Sequence, residues 1–257
     1  MKRVLFCFII VVSVVISAGE CIRNVPPVES LETADHPSDH LYSHWVDSVF
    51  SSLTPDQRIG QLFFAAAYSN LGKNHVDAIT NLVQNYYIGG LIFFQGGPKR
   101  QALLVNRYQA LAQTPLLIAM DAEWGLGMRL DSCVSFPRQM TLGAIEDINL
   151  IYRMGEEIGQ QCRRMGVHLN FSPVADLNNN PQNPVIGARS FGENSRDAAK
   201  RCVMYMSGLQ SQHILTAAKH FPGHGNTSVD SHQALPVVTD SYTELDAQEW
   251  YPYREMI

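Results

Sequence analysis

The chain has 257 residues, 46% of them hydrophobic and 17% charged, an ordinary globular balance with room for one large domain or two small ones. A net charge of −5 and a pI near 6.0 weigh against nucleic acid or an anionic membrane surface as the main partner. Either would need clustered Lys and Arg, and no basic stripe is present.

In chain order, Met1-Lys2-Arg3 is a positive start, Val4 to Ile16 is apolar, and Ser17-Ala18-Gly19 are small. That is the pattern of a secretory signal over residues 1–19, and it is too short for a membrane span. The protein is therefore expected to be exported, to the periplasm or outer envelope. Cleavage there leaves Cys21 near the new N-terminus, which raises the reading of a lipid anchor. Glu20 stands where lipoprotein signals carry a small residue and opposes it. Residues 20–40 are polar, with Pro26, Pro27 and Pro37, and read as a linker to a domain spanning residues 41–257.

Within that domain, Thr54-Pro55-Asp56 predicts a helix start, with a threonine cap, a proline in the first turn and an acid favoured by the dipole. The helix is expected to continue through Ile59, Leu62 and Phe63. Short apolar runs then alternate with longer amphipathic ones. Residues 89–94, 115–120, 167–171 and 214–218 read as buried parallel strands, with one more near Phe63 to Ala67. The spacings Ile148, Ile151, Met154, Ile158, Cys162, Met165 and Ala198, Cys202, Tyr205 or Met206, Leu209 predict helices between them. A last helix is expected from about Thr243 to Met256. Cys162 and Cys202 fall on apolar stripes, where a thiol is usually a small buried hydrophobe. No CxxC pair exists, so a zinc-thiolate site has no support.

Repeated strand-helix units indicate an α/β parallel sheet, either a (β/α)8 TIM-type barrel or a doubly wound sheet. Polar clusters follow several strands, at Asp121-Ala122-Glu123-Trp124-Gly125, at Ser172 to Asp176 and after Ala218. No GxGxxG fingerprint is present, and convergence of loops from many strand ends favours the barrel. About five or six strands can be counted where a closed barrel needs eight, so the barrel is expected to be incomplete at the C-terminus of this chain.

The most informative segment is Lys219-His220-Phe221-Pro222-Gly223-His224-Gly225, followed by Asp230-Ser231-His232. It puts three imidazoles, a lysine and a carboxylate into fourteen residues directly after an apolar strand. The plain alternative is a solvated loop. A histidine beside a carboxylate can act as acid and base near neutral pH, and Asp230 with His232 supplies that pair. The alternative for Asp230 is a turn in which it only accepts backbone hydrogen bonds. Lys219 and His220, leaving the strand, would point into the barrel mouth and donate to substrate hydroxyls.

Taken together, Asp121-x-Glu123 with Gly125 and Arg129, Gly187-Ala188-Arg189-Ser190-Phe191-Gly192, and the His-rich run resemble glycoside hydrolase family 3. The Asp-Ser-His element resembles its bacterial β-N-acetylhexosaminidase branch, over about residues 53–257. This resemblance implies hydrolysis of terminal non-reducing β-linked N-acetylglucosamine from glycans or peptidoglycan fragments. The implied mechanism is retaining and uses no cofactor or metal; the implied partner is a carbohydrate substrate. Asp121, Arg129, Arg189, Lys219 and His220 fall where that branch binds the non-reducing sugar; the plain alternative for Arg189 is an ion pair that orders its loop, and for Asp121 a helix cap. His232 falls where it places the acid/base, with Asp230 as partner. The family nucleophile is an aspartate after a later strand, and no aspartate here matches its motif. It is expected beyond Ile257, and the fragment alone is expected to hydrolyse almost nothing. Trp124 stands where relatives usually have glycine, as a sugar platform or a core cap; Leu126 and Asn226 are further departures.

Three rivals remain. A metal-dependent barrel hydrolase is suggested by the ligand types of His220, His224, Asp230 and His232, although Pro222, Gly223 and Gly225 forbid the helix that would align the first two. A non-catalytic sugar-binding protein is suggested by the unmatched nucleophile. A β-glucosidase would share the family but generally lacks the Asp-Ser-His loop.

Overall fold

A computed structural model of the chain describes residues 37–257. The predicted signal, Cys21 and the linker up to residue 36 lie outside the described residues. Helix α1 (Pro37–Ser52) leads into a compact unit formed by residues 49–257.

That unit begins with α2 (Pro55–Gly60), capped as expected. The Thr54 hydroxyl accepts from the Gln57 amide at 3.3 Å, while the Gln57 side-chain oxygen accepts from the Thr54 amide at 2.9 Å. The helix stops earlier than its apolar spacing suggests: Leu62 and Phe63 are exposed. The Gly60 and Phe63 carbonyls instead accept from the Gly89 amide at 3.2 and 3.1 Å, which turns the chain into the sheet.

The sheet follows in chain order. It comprises β1 (Phe64–Ala67), β2 (Gly90–Phe93), β3 (Leu117–Met120), β4 (Leu169–Asn170) and β5 (Leu215–Thr216). All four pairings are parallel and sequential, with Phe64 opposite Gly90, Gly90 opposite Leu117, Ala119 opposite Leu169 and Asn170 opposite Thr216. Among the described residues β1 and β5 are its two edges, so the barrel-type sheet is open, as the strand count predicts. Helices α3 (Lys73–Asn85), α4 (Pro98–Leu111), α5 (Gln139–Gly143), α6 (Asn149–Arg164) and α7 (Ser195–Ser211) fill the crossovers.

The core lies between sheet and helices, around Leu91, Phe93, Ile118, Met120, Ile151, Ile158, Tyr205 and Leu209. Helices α6 and α7 pack closely because glycines meet there: a Cβ on Gly208 would come within 2.2 Å of the Tyr152 carbonyl. Cys162 and Cys202 are buried in these helices, where loss of solvation raises their thiol pKa values and leaves them packing groups. The last predicted helix is two, α8 (Tyr242–Ala247) and α9 (Tyr251–Met256). The chain turns between them at Gln248–Trp250, and this corner carries the buried Glu249.

Candidate active site

The C-terminal ends of β3, β4 and β5 deliver the site. Directly after β3, Asp121 and Glu123 alternate with buried Ala122. Their loop is held from below: Asn170 accepts from the Ala122 amide at 2.9 Å, and the Tyr205 hydroxyl donates to the Ala122 and Glu123 carbonyls, each at 3.1 Å. After β5 the pairing continues, with Lys219 bridged to Val174 and the Lys219 amide donating to the Pro173 carbonyl at 3.1 Å. Lys219 thus behaves as a strand residue and reaches across to β3.

Lys219 Nζ donates to Asp121 Oδ1 at 2.6 Å and lies 2.8 Å from Glu123 Oε1. Arg129 Nη2 donates to the other Asp121 oxygen at 2.8 Å. Arg189, on a short 3-10 turn (Gly187–Arg189), forks onto Glu123 through Nε at 2.9 Å and Nη2 at 2.8 Å. Burial alone would raise the Glu123 pKa, but the Arg189 fork and the Lys219 charge override it and hold it at about 2.

His220 is built in the same way. Its Nδ1 lies 2.6 Å from Asp176 Oδ2, and Asp176 also accepts the His220 amide at 3.1 Å and the His224 amide at 2.7 Å. Arg189 Nη2 lies 3.3 Å from His220 Nε2. An arginine only donates, so Nε2 accepts and the ring proton sits on Nδ1, directed at Asp176. Asn183 locks the neighbouring loops by donating to the His224 and Thr227 carbonyls at 2.7 and 2.9 Å.

These contacts form two layers. Glu123 and Asp176 are sealed, with side chains 1% and 0% exposed. Above them Asp121, Arg129, Arg189, Lys219 and His220 keep 15–34% of their side-chain surface. The buried carboxylates fix the upper groups, and the upper groups retain free donors and lone pairs on the accessible side.

All five residues expected to bind the sugar therefore share one network. Asp230 and His232 pair with each other: Asp230 Oδ1 accepts the His232 amide at 2.8 Å and lies 2.8 Å from its Nδ1. The backbone contact and then the ring contact hold the Asp230 carboxyl below its ordinary pKa. His232 itself is 80% exposed, and among the described residues no hydrogen bond joins this pair to the Asp121 network. The four suggested metal ligands are not gathered either. His220 engages Asp176, the His224 ring engages Thr227, and among the described residues no group of three or more His, Cys, Asp or Glu is placed to hold a metal ion. One face of the Trp124 ring is covered by the Arg138 guanidinium, 4.7 Å from its centroid.

In the sequence Glu123 and Asp176 stand within polar clusters, with no mark that sets them apart as site residues. Their only signal was a carboxylate at a strand end with an arginine or histidine elsewhere free to meet it. Glu249 carried no such signal.

An open parallel sheet with helices in its crossovers and a charged, partly accessible network on its C-terminal strand ends has the layout of a barrel-type α/β protein. The chain belongs to glycosyl hydrolase family 3: the model of that family's N-terminal domain matches residues 54–257. It is 35% identical over 193 residues to β-hexosaminidase A of Pseudoalteromonas piscicida, covering 70% of this chain and 32% of that one. A β-N-acetylglucosaminidase/β-glucosidase of Cellulomonas fimi is 28% identical over 213 residues, 83% of this chain and 37% of its own length. Among solved structures, a family 3 β-N-acetylglucosaminidase from Paenibacillus sp. superposes with a TM-score of 0.73 at 37% identity, over 80% of this chain and 40% of that one. The chain thus spans about a third of the length of these two curated relatives.

Proposed function

We propose that this chain carries the sugar-binding part of a retaining β-N-acetylhexosaminidase site, acting on terminal non-reducing β-linked N-acetylglucosamine. The observation that carries this reading is the gathering of Asp121, Arg129, Arg189, Lys219 and His220 into one accessible layer over two buried carboxylates. Asp121 accepts from sugar hydroxyls with the lone pairs that Arg129 and Lys219 leave free, while the third Lys219 proton donates to the ligand. His232, oriented by Asp230 through Nδ1, presents Nε2 to protonate the leaving oxygen and later to take a proton from the attacking water. A retaining mechanism also needs a carboxylate that attacks the anomeric carbon and is freed when that water cleaves the glycosyl ester, a role this reading gives to none of the residues named above. Export of the protein is part of the same reading and rests on the sequence of residues 1–19.

The test is turnover of an aryl N-acetyl-β-glucosaminide and of the matching plain β-glucoside, with and without a chelator. It uses the chain as given and the longest natural product that contains it. Turnover of the N-acetylated substrate that survives chelation in the longer protein is the expected result. Preference for the plain glucoside would support the β-glucosidase reading, which the Cellulomonas relative's double name favours. Loss on chelation would support the metallohydrolase, and binding without turnover a sugar-binding protein.

A further inference from the structure

Glu249 sits at the α8–α9 corner and takes no part in the chemistry above. Its side chain is buried. Oε1 accepts from Asn179 Nδ2 at 2.8 Å and Oε2 from the Leu177 amide at 3.4 Å. Leu177 and Asn179 continue the loop that carries Asp176, the carboxylate that orients His220. From the other side the His-rich loop rests on the same side chain: a Cβ added at Gly223 would meet Glu249 Cγ at 2.9 Å, and one at Gly225 would meet Oε1 at 2.9 Å. The adjoining Trp250 donates from Nε1 to the Pro222 carbonyl at 2.8 Å, and Phe221 packs against the rings of Trp250 and Tyr253 at 5.9 and 5.5 Å. The corner is therefore wedged against two of the three loops that deliver the accessible groups, those after β4 and β5.

We propose that Glu249 is a positioning residue, whose buried side chain sets the Asp176 loop against the Lys219–Gly225 loop, so that a change in its charge displaces His220 and Lys219. This rests on the sugar-site reading and goes beyond it by assigning the site a proton-dependent support. Burial and then the charge of Asp176 push the Glu249 carboxyl up to about 7. The ionisable groups facing it are Asp176 after β4, Asp240 before α8 and Tyr253 of α9, with His224 on the loop between the two glycines. Both carboxylates oppose a negative charge on Glu249.

The experiment follows the backbone amide signals of His220 and His224 by NMR from pH 5.5 to 8.5, in the wild-type chain and in Glu249→Gln, together with the affinity of each for N-acetylglucosamine. In the wild type both amides should show a component with its midpoint near 7, and affinity should fall about tenfold between pH 6 and pH 8 as the uncharged fraction shrinks. Glu249→Gln should remove the amide component and flatten the affinity. A wild type with no such component overturns the proposal whatever the variant does, and so does a folded Glu249→Gln that titrates like the wild type. Amides that titrate as expected in a protein that never binds N-acetylglucosamine would uphold the role of Glu249 and defeat the sugar-site reading instead.

Discussion

Replacing Glu123 by glutamine removes the charge on which the upper layer of the site rests. Three donors converge on that carboxylate, Arg189 Nε, Arg189 Nη2 and Lys219 Nζ, and a glutamine offers them a single acceptor oxygen. A carboxyl moved from 4.5 to about 2 contributes about 3 kcal/mol of stability at neutral pH. This agrees in size with the roughly 3–5 kcal/mol lost when one member of a buried ion pair is deleted. Because the folded-state pKa is depressed, the contribution is whole above the unfolded value and drains away as pH falls through the folded one. Glu123→Gln should therefore lie about 3 kcal/mol below wild type at pH 7 and about 1.5 kcal/mol below it at pH 3. Urea unfolding followed by tryptophan fluorescence at the two pH values measures both differences. A deficit under about 1 kcal/mol at pH 7, or the same deficit at both, would refute the claim that charge rather than shape holds this layer.

Glu249→Gln should behave in the opposite sense. The wild-type carboxyl is raised from 4.5 to about 7 in the folded chain, so the wild type loses up to about 3 kcal/mol as pH rises through that window and the variant does not. The variant should gain on wild type in unfolding experiments between pH 4 and pH 8, and an unchanged difference contradicts the burial argument. His232→Ala, at an exposed position, should leave stability within about 0.5 kcal/mol. In a natural product that contains this chain and turns over an aryl N-acetyl-β-glucosaminide, it should reduce turnover more for poor leaving groups than for activated aryl glycosides, and equal losses would count against an acid role. Gly225→Ala places a Cβ within 1.9 Å of the Leu177 carbonyl, so the two loops must part; a loss of about 1–3 kcal/mol in urea unfolding and weaker N-acetylglucosamine binding are expected.

The strand-helix alternation was legible because each strand is a short apolar run flanked by turn residues, and because Thr54 and its neighbours form a complete capping box. The errors have local causes. Leu62 and Phe63 keep helical spacing, yet the sheet claims the backbone there through Gly89. The run 167–171 reads as a full strand, but only Leu169–Asn170 is assigned to β4. At His168 it is the ring Nδ1 that accepts the Ile118 amide, at 3.0 Å, in place of a backbone carbonyl. The predicted last helix breaks because Glu249 turns inward to Leu177 and Asn179 while Trp250 engages Pro222.

The site divides along the same physical line. Its accessible layer was readable because lysine, arginine and histidine in glycine-rich loops at strand ends have few structural reasons to crowd together. Its buried layer was not, since a carboxylate declares itself only through partners that folding supplies. Arg189 lies 66 residues from Glu123, His220 lies 44 from Asp176, and Leu177 lies 72 from Glu249. The three carboxylates then diverge by environment. Glu123 meets two cations and stays charged, while Asp176 spends its oxygens on the His220 ring and two backbone amides. Glu249 meets only neutral donors beside another carboxylate, and of the three it is the one for which a proton near neutral pH is the cheaper partner. Substitution of Glu249 should accordingly change the pH dependence of ligand binding near neutral pH, whereas substitution of Glu123 or of the upper layer should change its strength across that range.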